Sequence, residues 1–82
     1  MKAIVFGGSG FIGSHVADEL SKRGYETIIY DKVLSTYLQQ GQEMIVGDIL
    51  DIEKVKKAVK GCDYVYNFAG IADLDESFIL NP

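Results

Sequence analysis

Proline is nearly absent from this sequence, since the only one among its 82 residues is the last, Pro82. Tryptophan is missing, and Cys62 is the single cysteine, so no disulfide can form within the chain. A lone cysteine suits a reducing compartment, and we expect a cytoplasmic protein. Apolar residues make up 48% of the chain, a proportion that argues against disorder. The length allows a single domain, residues 1–82.

Positive charge and long apolar runs are both scarce. Eight Lys and Arg residues stand against twelve Asp and Glu residues, a formal net charge of −4. This balance gives no support for nucleic-acid binding. The one lysine cluster, between Lys54 and Lys60, has the spacing of the solvent-exposed face of a helix. No apolar run approaches the roughly 20 residues of a membrane-spanning helix. We therefore expect neither nucleic acid nor a membrane as a partner.

Short apolar runs alternate with stretches of helical spacing, which is typical of an α/β protein. Strands are predicted at Ala3–Phe6, Thr27–Tyr30, Met44–Val46 and Tyr64–Phe68. Helices are predicted at Gly10–Arg23 and Asp51–Lys60, with another beginning in Asp73–Leu80 and one or two helical turns within Lys32–Gln42. Right-handed crossovers would make a parallel sheet of four strands in the order 3-2-1-4, with flanking helices. This arrangement is half of a Rossmann fold.

Each of the two main predicted helices carries one apolar stripe that should face the sheet. The first stripe consists of Phe11 or Ile12, Val16, Ala17 and Leu20. The second consists of Ile52, Val55, Ala58 and Val59, and Asp51 stands before it as the predicted N-cap of the helix. Gly24 and Gly61 follow the two helices and are suited to a left-handed stop.

A glycine-rich turn joins the first strand to the first helix. Gly7, Gly10 and Gly13 fall three residues apart, a variant of the dinucleotide-binding motif. A tight strand-to-helix turn needs a backbone angle that glycine supplies at position 7, and the missing side chain at position 10 lets a pyrophosphate approach the amides. The glycine at position 13 allows close packing of the helix. The alternative is a tight structural turn that binds nothing.

Asp31 stands at the carboxyl end of the second strand, eighteen residues beyond Gly13. A carboxylate in this position can accept both hydroxyls of an adenosine ribose and would repel a 2′-phosphate, which favours NAD over NADP. The neighbouring Lys32 works against that preference, because a cation could pair with the phosphate. The alternative is an ordinary turn aspartate at the end of a strand.

Two further strand ends supply candidate cofactor contacts. Asp48 would accept a hydrogen bond from the adenine amino group while the amide of Ile49 donates to a ring nitrogen, although Gly47-Asp48 is also an ordinary turn sequence. The small residues within Phe68-Ala69-Gly70 would leave room for ribose and pyrophosphate beside the glycine turn.

Other reactive side chains do not form a catalytic or metal centre in the sequence. His15 has no paired Cys, Asp or Ser at a useful spacing, and we expect it to pack or to lie near the pyrophosphate. Cys62 has no histidine partner and reads as an inert thiol. The carboxylates of Asp73, Asp75 and Glu76 are better explained as charges at a helix amino terminus than as metal ligands.

Taken together and in order, these motifs resemble a known family. The residues that carry the resemblance are Gly7 to His15, Asp31, Gly47-Asp48-Ile49, Asp51 and Asn67 to Gly70. They resemble the extended short-chain dehydrogenase/reductase family and, within it, the nucleotide-sugar epimerases and dehydratases of the UDP-glucose 4-epimerase type. The resemblance covers essentially the whole chain.

The resemblance implies a set of cofactor contacts. NAD would be held by Gly7, Gly10, Phe11, Ile12 and Gly13 at the turn, by Asp31 at the ribose and by Asp48 and Ile49 at the adenine, with Ala69 and Gly70 along its path. Two departures are visible, because Phe6 replaces a threonine and Asn67 stands where a histidine is common. The segment that follows Asp31 is also shorter than is usual.

The residues that would perform catalysis in the family are missing from this sequence. The family transfers hydride with a Tyr-x-x-x-Lys pair and a Ser or Thr, and none of the five tyrosines here has a lysine four residues later. The resemblance therefore implies the amino-terminal part of an NAD(P)-binding domain, truncated before the catalytic half and inactive alone. A nucleotide sugar would be a partner only of the full-length parent, an isomerase or lyase.

Two other functions remain open from the sequence, namely a self-standing dinucleotide-binding or regulatory module without catalysis, and a folded interaction domain with an empty crevice. A Tyr-x-x-x-Lys pair in the reading frame beyond Pro82 would favour the enzyme. The predicted strand order also leaves Tyr64–Phe68 at an edge of the sheet. An exposed edge predicts a homodimer formed through this strand.

Overall fold

The computed structural model describes residues 1–36 and 38–69. Its elements, in chain order, are β1 (Lys2–Phe6), α1 (Phe11–Lys22), β2 (Glu26–Asp31), β3 (Gln42–Val46), α2 (Ile52–Val59) and β4 (Tyr64–Asn67). The predicted strands and the two main helices are confirmed, with ends that differ by at most two residues. The predicted helix in Asp73–Leu80 and the residue Gly70 lie outside the described part of the chain.

The four strands form one parallel sheet in the order β3-β2-β1-β4, as predicted. β1 lies between β2 and β4, and its residues Ala3, Ile4 and Val5 are completely buried. Alternate side chains of a strand point to opposite faces of the sheet. Burial on both faces explains why β1 and β2 read as continuous apolar runs in the sequence.

The two helices cover opposite faces of the sheet. On one face Ala17 and Leu20 of α1 pack with Val5 and Ile29. On the other face Ala58 of α2 belongs to a cluster with Ile4, Phe6, Ile28 and Tyr30. The core is thus two apolar layers, one on each side of β1 and β2. Within residues 1–36 and 38–69, neither helix has the length and apolarity to cross a membrane.

The apolar stripe of α1 begins later than the sequence predicted. Phe11 and Ile12 are 82% and 49% exposed, whereas Gly13, Ala17 and Leu20 are buried. Each residue advances about 100° around a helix, so a helix that faces the core at position 13 turns positions 11 and 12 away from it. The inclusion of Phe11 or Ile12 in the stripe was therefore wrong.

α2 begins where the sequence predicted, because the side chain of Asp51 accepts a hydrogen bond of 3.2 Å from the amide of Lys54. Its inner face consists of Val55, Ala58 and Val59, and the lysines of the helix are exposed as expected. Ile52 is 63% exposed, so its predicted place on that face is wrong. The first residue of α2 contributes nothing to the core cluster that the rest of the stripe joins.

The glycines that follow the helices have left-handed backbone angles, with φ of 87° at Gly24 and 84° at Gly61, as predicted. By contrast, the helical turns predicted within residues 32–42 are absent from the described residues of that segment. Side chains at its two ends capture backbone amides instead: Oδ1 of Asp31 accepts from the amide of Val33, and Oε1 of Gln42 accepts from the amide of Gln39. Such local hydrogen bonds compete with helix formation.

Candidate functional site

A cavity of about 420 Å³ opens at the carboxyl edge of the sheet. The residues that line it follow or end all four strands: Gly7, Ser9, Gly10, Tyr30, Asp31, Lys32, Val33, Gly47, Ile49, Phe68 and Ala69. In an open parallel sheet this edge is where ligands bind. The predicted glycine turn, the aspartate of β2 and the residues after β4 therefore meet in one place.

The glycine turn begins at Gly7, whose φ of 76° lies in the left-handed region. A Cβ added there would lie 2.7 Å from the amide nitrogen of Ala69 and 2.7 Å from the carbonyl carbon of Phe68. The amide of Gly7 donates a hydrogen bond of 2.8 Å to the carbonyl oxygen of Tyr30. Both the backbone angle and the lack of space thus require glycine, which confirms the predicted geometry of the turn.

Gly13 lets α1 approach the turn more closely than any other residue would. A Cβ at position 13 would lie 2.1 Å from the carbonyl oxygen of Gly7. The close approach predicted for Gly13 is confirmed, and the group it approaches most closely is the backbone of the turn. Gly10 differs, because its nearest neighbour is 3.4 Å from an added Cβ. Its missing side chain leaves space open on the cavity and is not needed for packing.

Asp31 is held by two backbone amides. Its Oδ2 accepts a hydrogen bond of 3.0 Å from the amide of Ser9, and its Oδ1 accepts one of 3.1 Å from the amide of Val33. The carboxylate is half-buried and lines the cavity beside the glycine turn. It is thereby fixed in orientation, and its remaining lone pairs can accept further hydrogen bonds. The neighbouring Lys32 is exposed and also lines the cavity.

The turn after β3 brings Ile49 to the cavity, while Asp48 lies beside it and is exposed. The Oδ1 of Asp48 accepts a hydrogen bond of 2.9 Å from the amide of Leu50. Its backbone carbonyl accepts one of 2.9 Å from the hydroxyl of Tyr30. Burial, followed by the nearby charges of Asp51 and Asp48, raises the pKa of Tyr30 above its ordinary value.

The remaining predicted cofactor residues divide into two groups. Phe68 and Ala69 line the cavity. Phe11, Ile12 and Gly13 form the first turn of α1, next to the cavity but outside its lining. Their predicted contacts with a cofactor stay predictions. Asn67, one of the two departures from the family pattern, accepts a hydrogen bond of 3.0 Å from the amide of Ala69 through its Oδ1.

The sequence did not predict four of the lining residues, namely Ser9, Tyr30, Val33 and Gly47. Ser9 and Gly47 adjoin predicted residues, so their position in the two turns was a usable signal. Tyr30 and Val33 gave no such signal. An aromatic residue in a buried strand and an apolar residue in a loop are both common and do not indicate a binding site.

The side chains that the sequence left without a catalytic role lie away from the cavity. His15 is exposed, and its ring contacts that of Phe11 edge to face with 4.9 Å between centroids. Burial raises the pKa of the Cys62 thiol, whose Sγ lies 3.5 Å from the carbonyl oxygen of Ala58. No group of three or more His, Cys, Asp and Glu side chains suited to a metal occurs in the described part of the chain. Asp73, Asp75 and Glu76 lie outside it.

The glycine turn and the first turn of α1 fit a phosphate-bearing ligand in two further respects. Gly10 caps α1 without any side-chain hydrogen bond, so the first amides of the helix are not capped by a protein side chain. The hydroxyl of Ser9 is buried and has no hydrogen-bond partner, a condition found at no other side chain of residues 1–36 and 38–69. Free donors at a helix amino terminus form a ready site for anions.

Residues 3–81 match the NAD dependent epimerase/dehydratase family. The chain is 38% identical over 74 residues to a 3-beta-hydroxysteroid dehydrogenase of Mycolicibacterium neoaurum, a match that covers 89% of this chain and 20% of that protein. It is 35% identical over 88 residues to a UDP-glucose 4-epimerase of Neisseria meningitidis serogroup B, covering 93% of this chain and 26% of that protein. The chain thus spans about a fifth to a quarter of these relatives.

Solved structures give the same result. An epimerase of Methanothermobacter thermautotrophicus superposes with a TM-score of 0.74 at 36% identity, over 83% of this chain and 22% of that one. The UDP-glucose 4-epimerase of Thermus thermophilus, solved in complex with NAD, superposes with a TM-score of 0.71 at 31% identity, over 84% of this chain and 24% of that one. With the family match over nearly its full length, this chain belongs to the NAD dependent epimerase/dehydratase family.

Proposed function

We propose that this chain is the NAD-binding portion of a nucleotide-sugar epimerase or dehydratase. The observation that carries the proposal is the carboxylate of Asp31, held by the amide of Ser9 beside the glycine turn. Two UDP-glucose 4-epimerases with over 30% identity to this chain, from Thermus thermophilus and Brucella ovis, were solved in complex with NAD. They support NAD as the dinucleotide.

The pyrophosphate of NAD would lie over the amides of residues 10–13. These amides belong to the first turn of α1, and the helix dipole favours negative charge there. Phe11 and Ile12 contribute their amides in this proposal, which gives their exposed side chains no part in binding the phosphates. The unpaired hydroxyl of Ser9 is a further donor in the same turn.

The adenosine would extend toward the ends of β2 and β3. Asp31 would accept the two ribose hydroxyls and exclude a 2′-phosphate, so NAD should bind better than NADP despite the exposed Lys32. Asp48 uses Oδ1 for the amide of Leu50, and its Oδ2 would receive the adenine amino group while Ile49 donates to the ring. Phe68, Ala69 and Gly70 would line the path of the cofactor beyond the pyrophosphate.

The chemistry of the parent protein would be transient removal of hydride from a sugar ring to NAD, followed by its return or by elimination. Residues 1–82 contain no Tyr-x-x-x-Lys pair to perform that transfer. We therefore expect this chain alone to give no turnover of any nucleotide sugar supplied with NAD. Turnover that survives purification and scales with the concentration of the chain would contradict this expectation.

A homodimer through the edge of the sheet is a second part of the proposal. β4 pairs with β1 on one side, and its other side pairs with no strand among the described residues. Val65, in the middle of β4, is 55% exposed. Unpaired backbone groups beside exposed apolar side chains favour association with another chain. A two-fold axis perpendicular to the sheet would run the two strands antiparallel.

Amide chemical shifts provide the direct test of the binding site. When NAD is added to the isotopically labelled chain, we expect the amides of residues 7–13 and of Asp31 to shift, while those at the amino ends of the strands do not. Gly10→Val should abolish the shifts, because its side chain would fill the open approach to the turn. Equal shifts in the variant would show that the cofactor lies elsewhere.

A further inference from the structure

Tyr30 connects the core of the sheet to the turn that follows β3. It is the largest completely buried side chain of the described residues, at 1% exposure. Its hydroxyl nevertheless donates a hydrogen bond of 2.9 Å to the backbone carbonyl of Asp48, eighteen residues away. The same residue lines the cavity beside Asp31 and Ile49. A phenol is thus placed under the turn that the proposed function assigns to the adenine.

The turn also packs directly on the phenol. A Cβ added to Gly47 would lie 2.6 Å from the hydroxyl oxygen of Tyr30 and 2.9 Å from the ring carbon that bears it. Only a residue without a side chain allows this contact. The amide of Gly47 in addition donates 2.9 Å to the carbonyl oxygen of Asp31. Tyr30 and Asp31, the last two residues of β2, therefore both hold Gly47 at the start of the turn.

The backbone of Tyr30 serves the other side of the cavity. Its carbonyl oxygen accepts the hydrogen bond from Gly7, the first residue of the glycine turn. Tyr30 thus contacts the glycine turn through its backbone carbonyl and the turn after β3 through its hydroxyl. Phenylalanine at this position would keep the ring and the backbone hydrogen bond with Gly7 but would lose the hydrogen bond to Asp48.

We propose that Tyr30 is a positioning residue that makes the site selective for adenine, by latching the Gly47–Leu50 turn through the carbonyl of Asp48. This inference rests on the proposed function. Recognition of a base edge requires its hydrogen-bonding groups to be held within about 0.5 Å of the productive geometry. Without this hydrogen bond, Asp48 and Ile49 are no longer held in that geometry. The site then binds a base without discriminating adenine from other bases.

The variant Tyr30→Phe removes the latch and keeps the fold. The ring that packs against Phe6 at 5.0 Å between centroids is retained. The carbonyl of Asp48 still accepts a hydrogen bond of 3.0 Å from the amide of Asp51, so it is not left unpaired. Tyr25→Phe is the matched control, because it deletes the same hydroxyl just before the amino end of β2, away from the cavity.

The first test compares NAD with nicotinamide hypoxanthine dinucleotide, in which a carbonyl oxygen replaces the adenine amino group. A carboxylate accepts from the amino group and repels the carbonyl, so the wild-type chain should prefer NAD. In Tyr30→Phe this preference should fall by about two- to tenfold, the value of one hydrogen bond. The preference for NAD over NADP, which depends on Asp31, should not change, and Tyr25→Phe should match the wild type.

A purely structural role would weaken all three dinucleotides equally in Tyr30→Phe, and that result would overturn the inference. A wild-type chain that binds NAD without distinguishing the hypoxanthine analogue would overturn it as well. If the wild type binds no dinucleotide, the proposed function fails.

The second test needs no ligand. Hydrogen exchange of the amides of Leu50 and Asp51 should be about two- to tenfold faster in Tyr30→Phe, whereas the exchange of β2 amides should match that of Tyr25→Phe. These two amides donate within the turn, to the side chain and the carbonyl of Asp48 respectively. Unchanged exchange at both positions would show that Tyr30 does not hold the turn, whatever the chain binds.

Discussion

The amide of Ser9 donates a hydrogen bond of 3.0 Å to Oδ2 of Asp31, which joins the glycine turn after β1 to the end of β2. The two residues lie 22 positions apart in the chain, Ser9 in the glycine turn and Asp31 at the last position of β2. Their contact orients the carboxylate toward the cavity before any ligand arrives. A preoriented group loses less entropy when a ligand binds.

Replacing Asp31 should affect both binding and stability. Asp31→Ala removes the ribose acceptors and leaves two amides without their partner, so NAD affinity should fall by about tenfold or more and the preference over NADP should disappear. The free energy of unfolding should fall by about 1–2 kcal/mol. Dinucleotide titration and urea unfolding measure the two effects. Asp31→Asn keeps an acceptor oxygen but no charge, and an unchanged preference for NAD in this variant would contradict the electrostatic part of the account.

The two glycines of the turn should separate folding from binding. Gly13→Ala places a methyl group 2.1 Å from the carbonyl oxygen of Gly7, so the free energy of unfolding should fall by about 2–3 kcal/mol. Gly10→Ala meets its nearest neighbour at 3.4 Å and has an ordinary extended backbone, so its stability should stay within about 0.5 kcal/mol of the wild type. Urea unfolding measures both changes.

NAD binding should nevertheless weaken in Gly10→Ala, because the methyl group stands where the pyrophosphate approaches the amides. Equal stability losses in the two variants would contradict this separation, because they would show that Gly10 is also needed for packing.

The pH dependence of stability should report the buried phenol. The pKa of Tyr30 is raised in the folded state, mainly by burial, so the unfolded chain loses the phenolic proton first as the pH rises. The stabilisation that Tyr30 provides is complete below about pH 10, the ordinary value for tyrosine. It is lost as the pH rises from there through the raised pKa of the folded state.

Urea unfolding of the wild type and of Tyr30→Phe, from pH 8 to 11, measures this contribution. The stability difference should be about 1 kcal/mol near pH 8 and should shrink above pH 10. Both chains carry the same lysines and Cys62, so those titrations largely cancel in the difference. A difference that stays constant with pH would contradict the raised pKa.

The sheet edge should control association. Val65→Lys puts a charge in the middle of β4, on an exposed side chain, and charged residues block pairing of edge strands. We expect the wild type to dimerise with rising concentration and the variant to remain monomeric, as measured by light scattering across a dilution series. Lys57→Glu, on the exposed face of α2, is a control that changes the surface charge at a position away from β4. A monomeric wild type at every concentration would contradict the dimer.

The sequence sufficed for the strands and for the glycine turn, because each depends on a local pattern. The order of the sheet followed from the alternation of strands and helices with right-handed crossovers. Fully apolar runs predict buried parallel strands, and the spacing of Gly7, Gly10 and Gly13 predicts a turn with little room for side chains. The same is true of Asp51, whose position before a helical pattern is a sufficient signal for a cap.

The details that the sequence did not predict depend on contacts between distant residues. Whether Phe11 faces the core is decided by how closely Gly13 approaches the turn, which the apolar spacing alone does not reveal. The hydrogen bond between Tyr30 and Asp48 joins β2 to the turn after β3, and the distance between them is set by the whole sheet. The apolar spacing of the segment after β2 allows helical turns, whereas the side chain of Asp31 accepts a hydrogen bond from the amide of Val33 instead.

Calorimetric titration of the purified chain with NAD and, separately, with NADP tests most directly whether the cavity beside Asp31 binds NAD. We expect one weak site for NAD, because the chain spans only about a fifth to a quarter of its relatives, and a lower affinity for NADP. Asp31→Ala should remove this difference. Absence of NAD binding at millimolar concentration, or tighter binding of NADP than of NAD, would contradict the account.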